Sequence, residues 1–591
     1  NTELDYNTSL RIRNHLYYFK TIETLNLKNC KLSDEMAKEI ADGIMKAKSL
    51  EKIYLNNNNF SKGLSTILYN LAFQPSLQLI DISDNKKAHL SETCIALYKL
   101  IKMSQSLTTL VCRGIPGLNG SLTSEFYYSL GDNSSLAYLD LSLSGNLSDY
   151  NIAQLGNAVA LNSLKKGSLN TLLLQNVGNS NSLSEFINGL EINEHIHFSW
   201  YGTLFNSNII KDSKDYYNKT MHCSLKCLDF GYNDMSVAFN INDVKTNHVN
   251  YLKKLFENTP SLTSLSFEKS GKMNKNFIDL LTNALLSKNN IRSLNLQGSN
   301  VNGDMVKILM TCFIAEDKPC ENNKVELLDL SNNNFGYSGI ESISKMLSHN
   351  KTIRVLNLFH NLFDVNGARR LRDALKINTT LEALDIGYNR FKGRGFGYII
   401  DGLISNPNNK LTYLGIKYNF VKREGLLNNL SKILNDPNSH IKRLEIGSNG
   451  FDNKTLFEAY TSLGEKSIYL DIFEKLYYLS EERLERTAWI SPIMYRETPK
   501  MLYDSIKVAE ADIKEKENSH LGIPLMIGFK RGRKLGQKKD SNLLNAFIEF
   551  IHPNSVNRLL KIATTGGTLM GGRKFRMYKA GTKPEKLLVK N

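Results

Sequence analysis

Val325-Glu-Leu-Leu328-Asp-Leu330-Ser-Asn-Asn333-Asn-Phe335 is a sentence that this chain writes four times in succession. Ile353-Arg-Val-Leu356-Asn-Leu358-Phe-His-Asn361-Leu-Phe363 comes next. Leu381-Glu-Ala-Leu384-Asp-Ile386-Gly-Tyr-Asn389-Arg-Phe391 and Leu411-Thr-Tyr-Leu414-Gly-Ile416-Lys-Tyr-Asn419-Phe-Val421 follow. The shared frame is L-x-x-L-x-L-x-x-N-x-L, and its starts lie 28, 28 and 30 residues apart. The x-L-x-L-x core alternates, so a short strand turns its leucines to one side and its variable residues to the other. The Asn after the strand is suited to bonding the backbone of a bend. Between strands the spacing becomes helical: Gly367, Ala368, Leu371, Ala374 and Leu375 fall on one helix face. One strand and one helix cannot bury their apolar sides alone, so the units must stack.

Further frames start near Ile22, Leu50, Leu77, Leu107, Leu136, Leu169, Leu225, Leu262, Ile291 and Ile441, and Ser467–Ile472 reads as a closing strand. The pattern is the leucine-rich repeat signature. Repeats of about 28 residues with full helices resemble the ribonuclease-inhibitor-type class, which includes Ran GTPase-activating proteins and several cytoskeletal proteins. The expected fold is α/β, a leucine-rich repeat solenoid with a curved parallel sheet inside and helices outside. The step from Leu169 to Leu225 is 56 residues, twice the repeat, so Ile196–Tyr201 is expected to supply a degenerate unit and Asn206–Tyr217 an inserted loop. The organisation expected is a cap over 1–21, a solenoid of about 16 repeats over 22–472, and a cap or linker over 473–486. A small domain over 487–580 and a basic tail over 581–591 follow.

The variable strand positions should line the concave face. One of them holds Asp81, Asp140, Asp229, Asp329, Asp385 and Glu445, with Asn26, Asn295 and Asn357 elsewhere. That reads as an acidic and amide-rich stripe, or simply as a preference of the frame. Late in the array Phe359, His360, Tyr388, Tyr413 and Tyr418 add aromatic rings. Rings in an acidic surround resemble a protein-binding surface. The residues expected to hold a partner are therefore Asp329, Phe359, His360, Asp385, Tyr388, Tyr413, Tyr418 and Glu445. The basic C-terminal segment is a second expected occupant of the acidic concavity.

The 591 residues are 41% hydrophobic with a mean hydropathy of −0.31, and no run of 18 apolar residues occurs, so no membrane span is expected. Asn1–Asn14 carries no apolar signal core, which leaves open whether a targeting segment precedes Asn1. Seven scattered cysteines suit a reducing compartment such as cytoplasm, cytoskeleton or nucleus. His222-Cys223-x-x-x-Cys227 has no second ligand pair, so its cysteines read as core and no metal is expected. Asn-x-Ser/Thr triplets such as Asn133-Ser-Ser135 and Asn378-Thr-Thr380 read as chance products of an Asn-rich chain. The net charge is +16, of which residues 487–591 carry +11.

In that last segment Ala488–Ile493, Ile523–Phe529, Leu543–Phe550 and Gly572–Tyr578 read as strands, with helices over Thr498–Ile506 and Ser555–Ala563. The order β-α-β-β-α-β is ferredoxin-like. Ala488-Trp489-Ile490-Ser-Pro-Ile493, Leu543-Leu544-Asn545-Ala546-Phe547-Ile548-Glu549-Phe550 and Gly572-Arg573-Lys574-Phe575 resemble a degenerate RNA-recognition motif, an RRM-like domain. The resemblance implies that Trp489 and Phe547 stack bases and that Phe550 faces the core. Asn545 stands where the family has a third aromatic, and Leu543-Leu544 replaces its basic-Gly pair. Independently of the family, Lys530, Arg531, Arg533, Lys534, Lys538 and Lys539 crowd one connection, and cations beside rings are the minimal single-strand site.

No phosphate loop, metal cluster or nucleophile triad stands out, so the chain reads as non-enzymatic and without cofactor. The first expectation is a binding adaptor in a larger complex, its solenoid on a protein and its RRM-like domain on single-stranded RNA. Nuclear mRNA-export receptors resemble it in pairing these modules, in the opposite order. The second is a scaffold of a cytoskeletal or ciliary assembly, with the RRM-like domain docking protein. GTPase activation of the Ran type ranks third, because the tail is basic where that family is acidic.

Overall fold

The computed structural model describes residues 3–19, 21–178, 182–190, 223–233, 235, 251–271, 273–315, 318–321 and 323–449. Beyond these it describes five strands, Leu470–Asp471, Thr487–Met494, Pro524–Arg531, Leu543–Phe550 and Arg576–Lys579. Each complete frame forms a three-residue strand, and fifteen strands join in one open parallel sheet in chain order. The register never slips. The fourth frame position is paired from Leu25 to Ile53, on through Leu328, Leu356, Leu384 and Leu414, to Leu444 and Leu470. From Ile53 to Leu444 this row is buried beneath helices that stack, each on the next, along one face. Fully burying such a side chain stabilises by roughly 1.5–3 kcal/mol. Val365–Leu375 shows how one repeat closes: Asp364 caps it by accepting from the Asn366 and Gly367 N–H groups, and Gly367, Ala368, Leu371, Ala374 and Leu375 are buried. The first helix, Tyr6–Tyr18, packs on Asp34–Ile44 and covers the start of the stack.

The frame Asn is the fastener between repeats. Asn389 donates Nδ2 to the Leu358, Ile386 and Gly387 carbonyls at 3.1, 3.0 and 3.0 Å. Its Oδ1 accepts from the Asn361 and Phe363 N–H groups at 3.0 and 3.3 Å. Asn361, Asn419 and Asn449 repeat the arrangement one strand away each time. Where Ser replaces Asn the carbonyl bond survives: Ser144 donates to Cys112 and Ser299 to Phe267. Substitution at this position therefore thins the ladder without breaking it.

A second set of buried amides closes the other end of several helices. Asn378 donates Nδ2 to the Leu347 carbonyl at 2.7 Å and accepts from Thr380 and Leu381 N–H. Asn133 does the same with Ile101, Ser135 and Leu136. Both are buried. These two Asn-x-Ser/Thr triplets are thus the stitch between a helix end and the next strand.

The described sheet has fifteen strands. In it Thr171–Leu173 pairs with Cys227–Asp229, with Leu172 opposite Leu228. The Lys226 and Cys227 N–H groups both donate to the Asn170 carbonyl, and Asn233 Nδ2 donates to Leu174 at 2.7 Å. Residues 196–201 and the loop expected at 206–217 lie outside the described residues. So do most of the cap or linker at 473–486 and the tail at 581–591.

The four C-terminal strands form a separate antiparallel sheet in the order Pro524–Arg531, Leu543–Phe550, Thr487–Met494, Arg576–Lys579. The helices expected over 498–506 and 555–563 lie outside the described residues. Among the described residues no helix is long and apolar enough to cross a membrane.

Candidate partner-binding site in the late repeats

The strand residues opposite the helices form two rows. The row expected to be acidic is one continuous register: Asn295, Asp329, Asn357, Asp385, Gly415 and Glu445 are paired in succession. Its side chains have a local task. Asp329 Oδ1 accepts from the Ser331 N–H at 2.9 Å, and Asp385 Oδ1 from Gly387 N–H at 2.8 Å. Asn357 accepts from Phe359 N–H, and Asp81, Asp140 and Asp229 each bond the N–H two residues on. A short acid or amide here ties the strand end into its turn. The preference of the frame for Asp and Asn has this cause, and the stripe is a row of turn fasteners before it is a charged surface. The Asp329 Oδ2 also accepts from Asn357 Nδ2 at 2.9 Å.

Exposure along this floor is uneven. The strands Leu327–Asp329 and Val355–Asn357, and Asp385, are half-buried. On the early side Asp81, Asp140 and Asp229 are buried, and Val111, Tyr138 and Leu173 form an apolar cluster apart from the main core. On the late side Tyr413 packs with Ala383 and Val355, and Glu445 is buried between the Lys417 ammonium at 2.7 Å and the Arg443 guanidinium. Burial alone would raise the Glu445 carboxyl; Arg443 and Lys417 outweigh it and hold the group below its usual range. Asp385 has no such cation in contact. Burial, with Glu445 nearby, pushes its carboxyl up to about 6 against the pull of the Gly387 N–H and Lys417. Gly415 leaves room for it: a Cβ there would stand 2.7 Å from Asp385 Oδ1.

The expected aromatic group divides in two. Tyr413 is 8% exposed and belongs to the floor, where burial pushes its phenol well up and Arg443 lies 5.7 Å from its ring. Tyr388 and Tyr418, 44% and 42% exposed, stand instead on the turn where each strand ends. They occupy the eighth frame position, and that position is left-handed: φ is 59° at Asn332, 57° at His360, 52° at Tyr388 and 57° at Tyr418. The N–H groups of Asn332, His360 and Tyr388 each reach the carbonyl of the next repeat, as His360 does to Gly387 at 2.9 Å. The rings form a ladder. His360 and Tyr388 lie 4.4 Å apart edge to face, and Tyr388 and Tyr418 5.3 Å apart. Phe359 completes the group at 5.7 Å from Tyr388, its ring seated over Gly387, where a Cβ would be only 2.7 Å away. His360 Nδ1 meets Asn332 Oδ1 at 3.0 Å.

Sequence reasoning missed the neighbours of this ladder. Phe420, two positions on, is also left-handed at 58° and is 62% exposed. Arg390 occupies its column one repeat earlier, and Lys392 and Lys422 share the next column. The signal was available, since counting the frame two and four places beyond the ladder finds them.

Of the C-terminal candidates, Trp489 is paired with Phe547 and Lys530 with Asn545. Trp489 is also paired with Tyr578, which sequence reasoning had placed on a strand without a role. Arg531 ends its strand opposite Leu544, and Arg533, Lys534, Lys538 and Lys539 lie outside the described residues. All seven cysteines are free thiols; Cys223 and Cys227 are buried, and burial pushes Cys223 up to about 12.

A leucine-rich repeat family model matches residues 321–344 and 378–396, within the four repeats that define the frame. No curated protein matches the chain significantly. Among solved structures, an internalin of Listeria monocytogenes is 14% identical over 76% of this chain and 96% of its own, with a TM-score of 0.37. The tropomodulin C-terminal domain of Caenorhabditis elegans is 15% identical over 27% of this chain and 92% of its own, at a TM-score of 0.23. The actin-binding site 2 of leiomodin-1 is 22% identical over 31% and 86%, at 0.20. The units at 321–344 and 378–396 thus match leucine-rich repeats, and stacked repeats of this kind generally serve as protein-binding surfaces.

Proposed function

We propose that this chain is a non-enzymatic binding protein whose late repeats, from Leu327–Asp329 to Arg443–Glu445, hold a protein partner. The observation that carries the reading is the ladder His360–Tyr388–Tyr418. Tyrosine rarely adopts a left-handed backbone, and such strain collects where a side chain is needed for a task. The rings are exposed, rigid and stacked, which suits interface anchors. Free cysteines throughout the repeats support a reducing compartment. The test is quantitative affinity purification with the full chain and its Tyr388→Asn/Tyr418→Asn variant. Recovery of at least one partner is expected to fall about tenfold, the effect of losing roughly 1.4 kcal/mol. Equal recovery of every partner would sink the proposal.

A second reading concerns the C-terminal sheet, as a weak single-stranded RNA site of the RRM-like kind. It is favoured by one register row, Tyr578–Trp489–Phe547–Gly528, two strand positions from the pair Asn545–Lys530. Two strand positions is the repeat of one sheet face. The strand order, with the first and third strands central, is the order a β-α-β-β-α-β chain takes in the ferredoxin-like fold. Titrating the full chain with a fluorescent single-stranded oligonucleotide at rising salt tests it. Neutralising the cations of 530–539 should flatten the salt slope, and Trp489→Ala should weaken binding at all salts. No binding at low salt leaves the sheet as a protein-docking module, as in a scaffold.

A further inference from the structure

We infer that the partner segment received by the late repeats is an acidic, apolar stretch of polypeptide, lying along the turn edge rather than in the concave floor. This rests on the binding proposal above and adds the chemistry of what is bound. Three observations carry it.

The first is where charge is spent and where it is left. On the floor, Glu445 is consumed by Arg443 and Lys417, while Asp329 and Asp385 fasten turns. At the opening end of the same strands Arg292, Glu326, Arg354 and Glu382 neutralise one another along four repeats. At the turn edge the pattern differs. Arg390, Lys392 and Lys422 are exposed, and their side chains make no hydrogen bond or ion pair among the described residues. The exposed carboxylates of these turns include Asp364, which caps its helix, and Glu424. Among the described residues the three cations of this edge therefore stand outside any ion pair.

The second observation is apolar. Tyr388, Tyr418 and Phe420 expose large faces in adjacent repeats of this same edge. Strands in a sheet lie about 4.8 Å apart, so rings on successive turns form a continuous strip about the width of one extended peptide. The third is backbone strain. Tyr418, Phe420 and Lys422 all have φ between 56° and 58°, and Lys392 has 57°. Asn or Gly would relax each of them. Both the rings and the ammonium groups are thus held at the edge against local preference. Rings flanked by unpaired cations complement carboxylates interleaved with apolar side chains, and charge complementarity of this kind selects among partners.

A phage-displayed library of random 16-residue peptides, panned on the full chain at physiological salt, tests this. Enriched peptides should combine Asp or Glu with Phe, Leu or Trp. Their synthetic versions should bind at least tenfold more weakly to Arg390→Glu/Lys392→Glu/Lys422→Glu and to Tyr388→Asn/Tyr418→Asn. Asn already occupies the same turn position at Asn57 and Asn332, so the second variant keeps the backbone, and thermal melting verifies both. Absence of enrichment, enrichment of basic peptides, or acidic peptides whose binding ignores both variants would each overturn the inference. If partner recovery still falls on Tyr388→Asn/Tyr418→Asn while charge reversal changes nothing, the binding proposal stands and the acidic-partner inference fails.

Discussion

The first four turns of the sheet place Asn29, Asn57, Asp84 and Gly114 at the left-handed position. The late ones place His360, Tyr388 and Tyr418 in the same left-handed region, at φ of 52–57° against 53–69°. The early residues are those that a left-handed turn prefers, and Asn57 also bonds Asn29 across one repeat. The late tyrosines are not. Leu143 and Tyr232 show that the departure is not confined to one end, yet among the described residues only the late turns stack rings in consecutive repeats. The fold therefore needs the conformation everywhere and the aromatic side chain nowhere. What fold does not require at the late edge is left for binding to explain.

The largest expected effect falls on what both regions share. Asn85→Ala and Asn389→Ala each remove a buried amide bonded to backbone on two strands. Each unsatisfied buried group costs about 1–3 kcal/mol, so a loss of at least about 3 kcal/mol is expected at both sites. Urea midpoints measure it, and a much smaller loss at Asn389 would show that the late repeats are held together by something else.

The exchange of turn residues should be asymmetric. Asn57→Tyr adds a bulky side chain to a left-handed position with no ring beside it, at a cost of about 1 kcal/mol. Tyr388→Asn relieves the same strain but gives up three ring contacts worth about 0.5–1.5 kcal/mol each. Its stability should therefore fall by at least about 0.5 kcal/mol, and partner binding should fall with it. Should Asn57→Tyr prove neutral, left-handed tyrosine carries no strain here and the comparison loses its force.

The smallest effect is a slope. The folded-state Asp385 carboxyl at about 6 lies above its ordinary value of 3.8, so the folded chain holds that proton more tightly than the unfolded one. Between these values stability falls as pH rises, and the contribution present in acid is lost as pH passes through about 6. Asp385→Asn should flatten this part of the stability profile. Asn is tolerated there because Asn295 and Asn357 make the same turn bond in their own repeats. An unchanged slope between pH 4 and 6 (roughly the interval separating the two states) would remove Asp385 as its source.

Most of the solenoid was legible in the sequence because its period is arithmetic. Counting along the frame places Leu328, Leu356 and Leu384 in one row and Asp329, Asn357 and Asp385 in the next, and the register agrees. Counting cannot say where a column points once the chain leaves the strand. Tyr413 and Tyr418 look alike in the frame, but one lies on the strand and is buried, while the other follows it at a positive φ and is exposed. The role of Asn378 was hidden because its partner carbonyl, Leu347, is 31 residues away.

That last bond has a bearing on biosynthesis. A glycan is attached to an Asn-x-Ser/Thr triplet while the chain is still emerging and unfolded, before burial can protect it. Asn133 and Asn378 each place the very nitrogen that would carry the sugar on a carbonyl inside the stack, at 2.8 and 2.7 Å. A copy of this chain modified there could not close the stitch between one repeat and the next. Every round of synthesis through a glycosylating compartment would then yield molecules unable to complete the array, whereas synthesis elsewhere leaves these amides free to fold.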